Sequence, residues 1–172
     1  MPDIMLEAAP LVVAKTGGSS TFTLTLSAVS GKDVIVDLNL GGSATGGGVD
    51  YDNPPLQVTI PAGDTVATFD INTVPDLLNE IDETIVVSIS SLTNAVANGP
   101  QQQTVTITDD DAVPTVSLSI DQTSILEDAG SATLTATLSA VSGRDIIVDL
   151  GFSGTADRTD DYLVPAQILI PA

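Results

Sequence analysis

The sequence predicts an all-β fold: an Ig-like antiparallel β-sandwich, with one complete domain of about seven strands followed by a truncated second copy. Three observations lead there. Short runs alternate polar and apolar residues with period two, the pattern of strands that bury one face. No stretch keeps a helical period over three turns, and the one acidic candidate, "PDLLNEIDE" from Pro75, reads as a loop with at most a single turn. Finally, "LSAVSGKDVIVDL" (Leu26 to Leu38) returns as "LSAVSGRDIIVDL" (Leu138 to Leu150), offset by 112 residues with 11 of 13 positions identical. A repeat of that length suits tandem domains better than solenoid units.

The elements follow in chain order. "TFTLTLS" from Thr21 and "ATLTATLS" from Ala132 alternate cleanly. "AVSG" reads as a turn into "DVIVDLNL", which would make those two strands a hairpin. "LQVTIPAG", "ATFDINTV", "ETIVVSIS" and "QTVTITD" supply the remaining strands of the first copy. The repeat offset falls to 111 at Tyr51 and Tyr162 and to 110 at Ile60 and Ile170, so loops absorb the differences. The predicted division is a first domain at 1–111, a linker at 112–114 and the N-terminal half of a second copy at 115–172. Residues 63–111 have no counterpart in the second copy, which is expected to need completion by another chain or to be poorly ordered alone.

Composition narrows function. The formal charge is −19, with 23 acids against Lys15, Lys32, Arg144 and Arg158. Such a chain offers nucleic acid no basic patch, and an anionic membrane surface would repel it. Yet 42% of residues are hydrophobic and mean hydropathy is +0.32, so the acids decorate a folded core. Cysteine and histidine are absent, which removes disulfides, Cys/His metal sites and His-based triads. Paired carboxylates can hydrolyse glycosides, but with no Trp, two Tyr and three Phe there is no sugar-stacking platform. We read the chain as no enzyme. The start, "MPDIMLEAAPLVV", lacks a signal-peptide pattern, and no apolar run approaches the ~20 residues of a membrane span. An excerpt of a longer surface or secreted protein is the expectation.

The acids fall in three separate loops of the first copy. Asp50 lies in "GGGVDYDNP", Asp76, Glu80 and Glu83 in "PDLLNEIDE", and Asp109, Asp110 and Asp111 in "TITDDDAVP". Each alone reads as a solvated loop, and Tyr51 and Tyr162 read as packing residues. Alternate loops of a sandwich share one end, however. Seven carboxylates meeting there need protons or a hard cation, and calcium, with six to eight oxygen ligands in flexible geometry, suits them better than magnesium. "GGSATGGGVD" follows no pattern that opens a helix and gives no phosphate cradle.

Taken together, "VDYDN", "LQVTIPAG", "DETIVV" and the closing "DDD" resemble the Calx-beta domain. That family includes calcium-sensing domains of sodium/calcium exchangers, an integrin β-subunit and repeat arrays of bacterial surface proteins. The resemblance covers residues 3–111 and the first half of a second copy. It implies calcium ligands at Asp50, Asp76, Glu80, Glu83, Asp109, Asp110 and Asp111, with Glu127 and Asp161 in the incomplete copy. It also implies a glutamate after the first strand. Glu127 fills that column in the second copy, but Lys15 stands there in the first. A lysine either removes a ligand and repels the ion or acts as a built-in counter-charge. The implied function is a calcium-binding structural or adhesive repeat, extracellular or at the cell surface. Its partners would be neighbouring repeats and other surface proteins or glycans, and calcium would rigidify the stiff Asp111–Pro114 junction. The alternatives are a calcium-sensing domain of a membrane transporter and a structural repeat that no longer binds calcium.

Overall fold

The structure is a computed structural model and describes every residue except Ala129 and Thr159. It divides the chain into two compact units: Met1–Asp76 with Ile81–Asp110, and Leu77–Glu80 with Asp111–Ala172. Among the described residues the regular elements are all strands, and no helix is long and apolar enough to cross a membrane.

The first unit holds nine strands: β1 (Asp3–Ala9), β2 (Val12–Ala14), β3 (Ser19–Leu26), β4 (Val34–Gly42), β5 (Gln57–Ile60), β6 (Val66–Asn72), β7 (Glu83–Thr93), β8 (Val96–Ala97) and β9 (Gln102–Thr108). They form two sheets, ordered β6-β3-β1-β8 and β2-β9-β7-β4-β5. Period-two patterning aims one face of each strand inward. Ile4, Leu6, Phe22, Leu24, Phe69 and Ile71 from the first sheet form one core with Val34, Val36, Ile60, Ile85, Val87, Val105 and Ile107 from the second. Phe22 and Phe69 stack at 5.2 Å between centroids, inside the β3–β6 pair.

Two local expectations fail. The β3–β4 hairpin is not formed: β3 pairs with β1 and β6, whereas β4 pairs with β5 and β7. Ser27–Asp33 is therefore a corner between sheets. Both strands bury an apolar face, Phe22, Leu24 and Leu26 on one and Val34, Val36 and Leu38 on the other. Facing each other across the core buries both sets, which lying side by side in one sheet would also allow. The alternation alone could not tell these apart. The strands also run to nine where about seven were expected, because the short β8 adds one and the first strand breaks at Pro10. Proline has no N–H for the ladder, and the chain leaves the β1 sheet after Ala9 to join the other sheet as β2, parallel to β9.

The second unit repeats part of this plan. Strands β10 (Val116–Ile120), β11 (Leu134–Leu138), β12 (Ile146–Asp149) and β13 (Gln167–Ile170) correspond to β1, β3, β4 and β5. Their registers match the first copy: Val116 faces Leu138 as Ile4 faces Leu26, and Ile146 faces Ile170 as Val34 faces Ile60. Corner bonds recur too. Ser30 Oγ donates to Lys32 O at 2.6 Å, and Ser142 Oγ to Arg144 O at 3.0 Å. Packing differs, since Val116 and Leu118 are exposed where Ile4 and Leu6 are buried. In place of more of its own repeat, this unit includes Leu77–Glu80. There the Asn79 carbonyl accepts from Gly143 N at 3.1 Å, and Asn79 Nδ2 donates to Asp111 O at 3.4 Å.

Candidate functional site

Strand β2 is what brings a lysine to the acidic end of the first unit. Ala14 lies opposite Thr108 in the parallel β2–β9 pair, so Lys15 and Asp109 leave the sheet together. Lys15 N donates to Thr108 O at 2.9 Å. The side chain then turns inward and is 2% exposed. Its Nζ lies 2.5 Å from Asp50 Oδ1 and 3.2 Å from Asp76 Oδ2. A buried ammonium is costly unless charged partners replace its water, and these two carboxylates do so.

Asp50 is fixed by its own loop. Its Oδ2 accepts from Thr45 N at 2.6 Å, its backbone N donates to Thr45 O at 2.9 Å, and its carbonyl accepts from Val74 N at 2.9 Å. Next to it, Tyr51 is buried and bridges Thr73 across to the end of β6. The Gly-rich stretch makes room for that ring: a Cβ on Gly46 would fall 2.8 Å from Tyr51 Cζ. Thr73 ties in the Lys15 turn. Its Oγ1 accepts from Gly18 N at 2.8 Å and can donate to Ala14 O at 3.0 Å or Gly18 O at 3.1 Å. Asp76 follows three residues later, already close to Lys15.

Further acids surround this pair. Glu83 opens β7, and its carboxylate comes within 4.8 Å of Asp50's. Asp110 Oδ1 accepts from both Thr16 N and Thr16 Oγ1 at 3.2 Å, capping the turn that carries Lys15. Asp109 N donates to Asp82 Oδ1 at 3.1 Å, joining the β9 exit to the start of β7. Burial pushes the Asp50 carboxyl up. The Lys15 hydrogen bond, Thr45 N–H, the Lys15 charge and a hydrogen bond shared with Glu83 outweigh that, so Asp50 titrates below its ordinary value. Burial, aided by the Asp50 charge, raises the Tyr51 hydroxyl.

Of the seven carboxylates expected to converge, Asp50, Asp76, Glu83, Asp109 and Asp110 belong to the first unit. Glu80 and Asp111 belong to the second. There a Cβ on Gly143 would fall 2.7 Å from Glu80 Cγ, and Asp111 lends its carbonyl to Asn79. In the incomplete copy, Glu127 and Asp161 are exposed. Asp161 closes its loop as Asp50 does, with Oδ2 accepting from Asp157 N at 2.6 Å and its own N donating to Asp157 O at 2.9 Å. Sequence reasoning missed Thr16, Thr73 and Asp82. Their roles are hydrogen bonds between segments far apart in the chain, and nothing in their local pattern announces them.

Comparison with known families finds the Calx-beta domain matched twice, over residues 2–111 and 109–170. The chain belongs to the Calx-beta domain family. Comparison with curated proteins returned no match. Among solved structures, CBD12 from CALX1.2 superposes with TM-score 0.55 at 20% identity, covering 63% of this chain and 46% of that one. The apo form of the Calx CBD1 domain gives 0.51 at 19% identity, over 63% of this chain and 98% of that one. Calcium binding domain CBD12 of CALX1.1 gives 0.50 at 17% identity, over 66% and 49%. At these identities the likeness is one of fold. This Calx-beta chain thus spans about half the length of both CBD12 structures.

Calcium is the ion this family implies, and the first copy meets it halfway. The donors around the Lys15 turn are oxygens only, the chemistry of a hard cation. Within the first unit, Asp50 and Glu83 bring carboxylates within 4.8 Å of each other. Between Asp50 and Asp76, however, the Lys15 ammonium already stands where a cation would sit.

Proposed function

We propose that this Calx-beta chain is a calcium-binding structural repeat module of a larger surface or secreted protein. Neighbouring repeats would be its partners, and bound calcium would stiffen the Asp111–Pro114 junction. One observation carries the reading: at one end of the first unit Asp50 and Asp76 close on Lys15, Glu83 brings its carboxylate within 4.8 Å of Asp50's, and Asp110 caps Thr16. Tandem copies that share the block Leu26–Leu38 with Leu138–Leu150 favour an array over a lone sensor attached to a transporter.

Calorimetric titration of the full chain with calcium, beside its melting temperature in chelator and in millimolar calcium, tests the proposal. Heat and an upward shift are expected, because an ion that binds only the folded state stabilises it by mass action. An Asp109→Asn/Asp110→Asn double variant should lose most of both. No heat and no shift in the native chain would reject calcium binding. A second reading, a structural repeat without calcium, has its own support in the Lys15 ion pairs, which neutralise part of the cluster internally.

A further inference from the structure

We infer that the Lys15 ammonium is the resident cation of the Asp50–Asp76 position. The residue at 15 then decides whether that position holds an amine or a metal ion. The inference rests on the calcium-binding reading for the identity of the metal, but its geometry is independent of it.

The argument starts from placement. Nζ lies between carboxylates of two loops, 2.5 Å from one and 3.2 Å from the other, with side-chain exposures of 3% for Lys15, 7% for Asp50 and 30% for Asp76. The surroundings hold Asp50 and the Lys15 turn, and tie in the segment before Asp76, without any ion. Thr45 N holds Asp50, the Lys15 backbone is bonded to Thr108, and Thr73 joins the lysine turn to the strand that leads to Asp76. The amine is therefore delivered by the fold.

Charge gives the consequence. Lys15 with Asp50 and Asp76 sums to a formal −1. With glutamine at 15 the sum would be −2, and with glutamate −3, in a position shielded from water. Either value calls for a divalent ion. The second copy carries that glutamate, Glu127, in the matching column 112 residues later. A lysine in one copy and a glutamate in the other then mark two ways to meet carboxylates at that column. One is covalently tethered and indifferent to calcium, and the other depends on it.

The test is Lys15→Gln in the full chain, measured in chelator and in calcium. In chelator its melting temperature should fall by roughly 15 °C. Calcium should restore most of that fall, and calorimetry should count one more calcium than in the native chain. Lys15→Arg keeps a cation and should retain the native calcium response. A loss that calcium does not repair, with stoichiometry unchanged, would overturn the inference, as would the same calcium gain in Lys15→Arg. If Lys15→Gln is unfolded in chelator, circular dichroism on adding calcium decides: refolding supports the inference and no refolding rejects it. The two readings fail separately. A native chain that takes no calcium while Lys15→Gln takes one removes the proposed function alone. A native chain that binds calcium while Lys15→Gln gains none removes this inference alone.

Discussion

Replacing Asp50 by asparagine isolates what the buried ion pair contributes. Asparagine has nearly the same shape, and its Oδ1 can still accept from Thr45 N, so the loop's cap survives. What goes is the charge 2.5 Å from a lysine that is 2% exposed. Opposite charges at contact are worth about 4 kcal/mol at an effective dielectric near 20, and breaking one side of a buried pair costs about 3–5 kcal/mol. Asp76, 3.2 Å away, remains to hold the amine, which favours the lower figure. We expect a loss of about 3 kcal/mol, or a fall in melting temperature of roughly 15 °C for a domain of this size. Asp76→Asn should cost only about 1 kcal/mol, because that carboxylate is 30% exposed and partly screened. The chain has no tryptophan, so circular dichroism in chelator is the assay of choice. Combining Lys15→Met with Asp50→Asn should cost less than the two single changes added together, since neither charge is left stranded. An Asp50→Asn variant within about 1 kcal/mol of the native chain, or an Asp76→Asn variant that is worse, would refute the pairing.

Two further outcomes follow from other parts of the first unit. Gly42 ends β4 with φ +111°, and a Cβ there would lie 2.0 Å from Thr84 O, so Gly42→Ala should lower the urea midpoint by at least the equivalent of about 2 kcal/mol, whereas Gly41→Ala, with open space around it, should change little. Asp37 accepts hydrogen bonds from Gln57 Nε2 and Ser91 Oγ, which hold its carboxyl below the ordinary 3.8. A depressed carboxyl adds stability above its unfolded value and loses it as pH falls through the folded one. Urea midpoints measured as pH falls from 3.8 toward the lower folded value should therefore decline less steeply in Asp37→Asn, and parallel curves would contradict the assignment.

Much of the fold could be read from particular residues. The alternation in "TFTLTL" became β3 with Phe22, Leu24 and Leu26 inside, and the repeated 13-residue block became matching corners with the same serine bonds. What the alternation left open was which sheet each strand joins, and so the supposed hairpin at "AVSG" is a crossing between sheets. The acidic loops were also visible. The bonds that bind them to one turn were not, because Thr16 to Asp110, Thr73 to Ala14 and Asp109 to Asp82 span 94, 59 and 27 positions.

The sequence by itself determined the β class, the tandem copies, the family and the candidate carboxylates. Each of these is written in local pattern, residue type or self-similarity, which need no third dimension. Only the tertiary structure decided what Lys15 does. Its column marked it as the wrong residue for a ligand, and repulsion or counter-charge were both open. The parallel pairing of β2 with β9 sets where the lysine enters the acidic end, and burial then leaves it one stable choice. An ammonium withdrawn from water must lie against carboxylates, and Asp50 and Asp76 are the ones the fold provides.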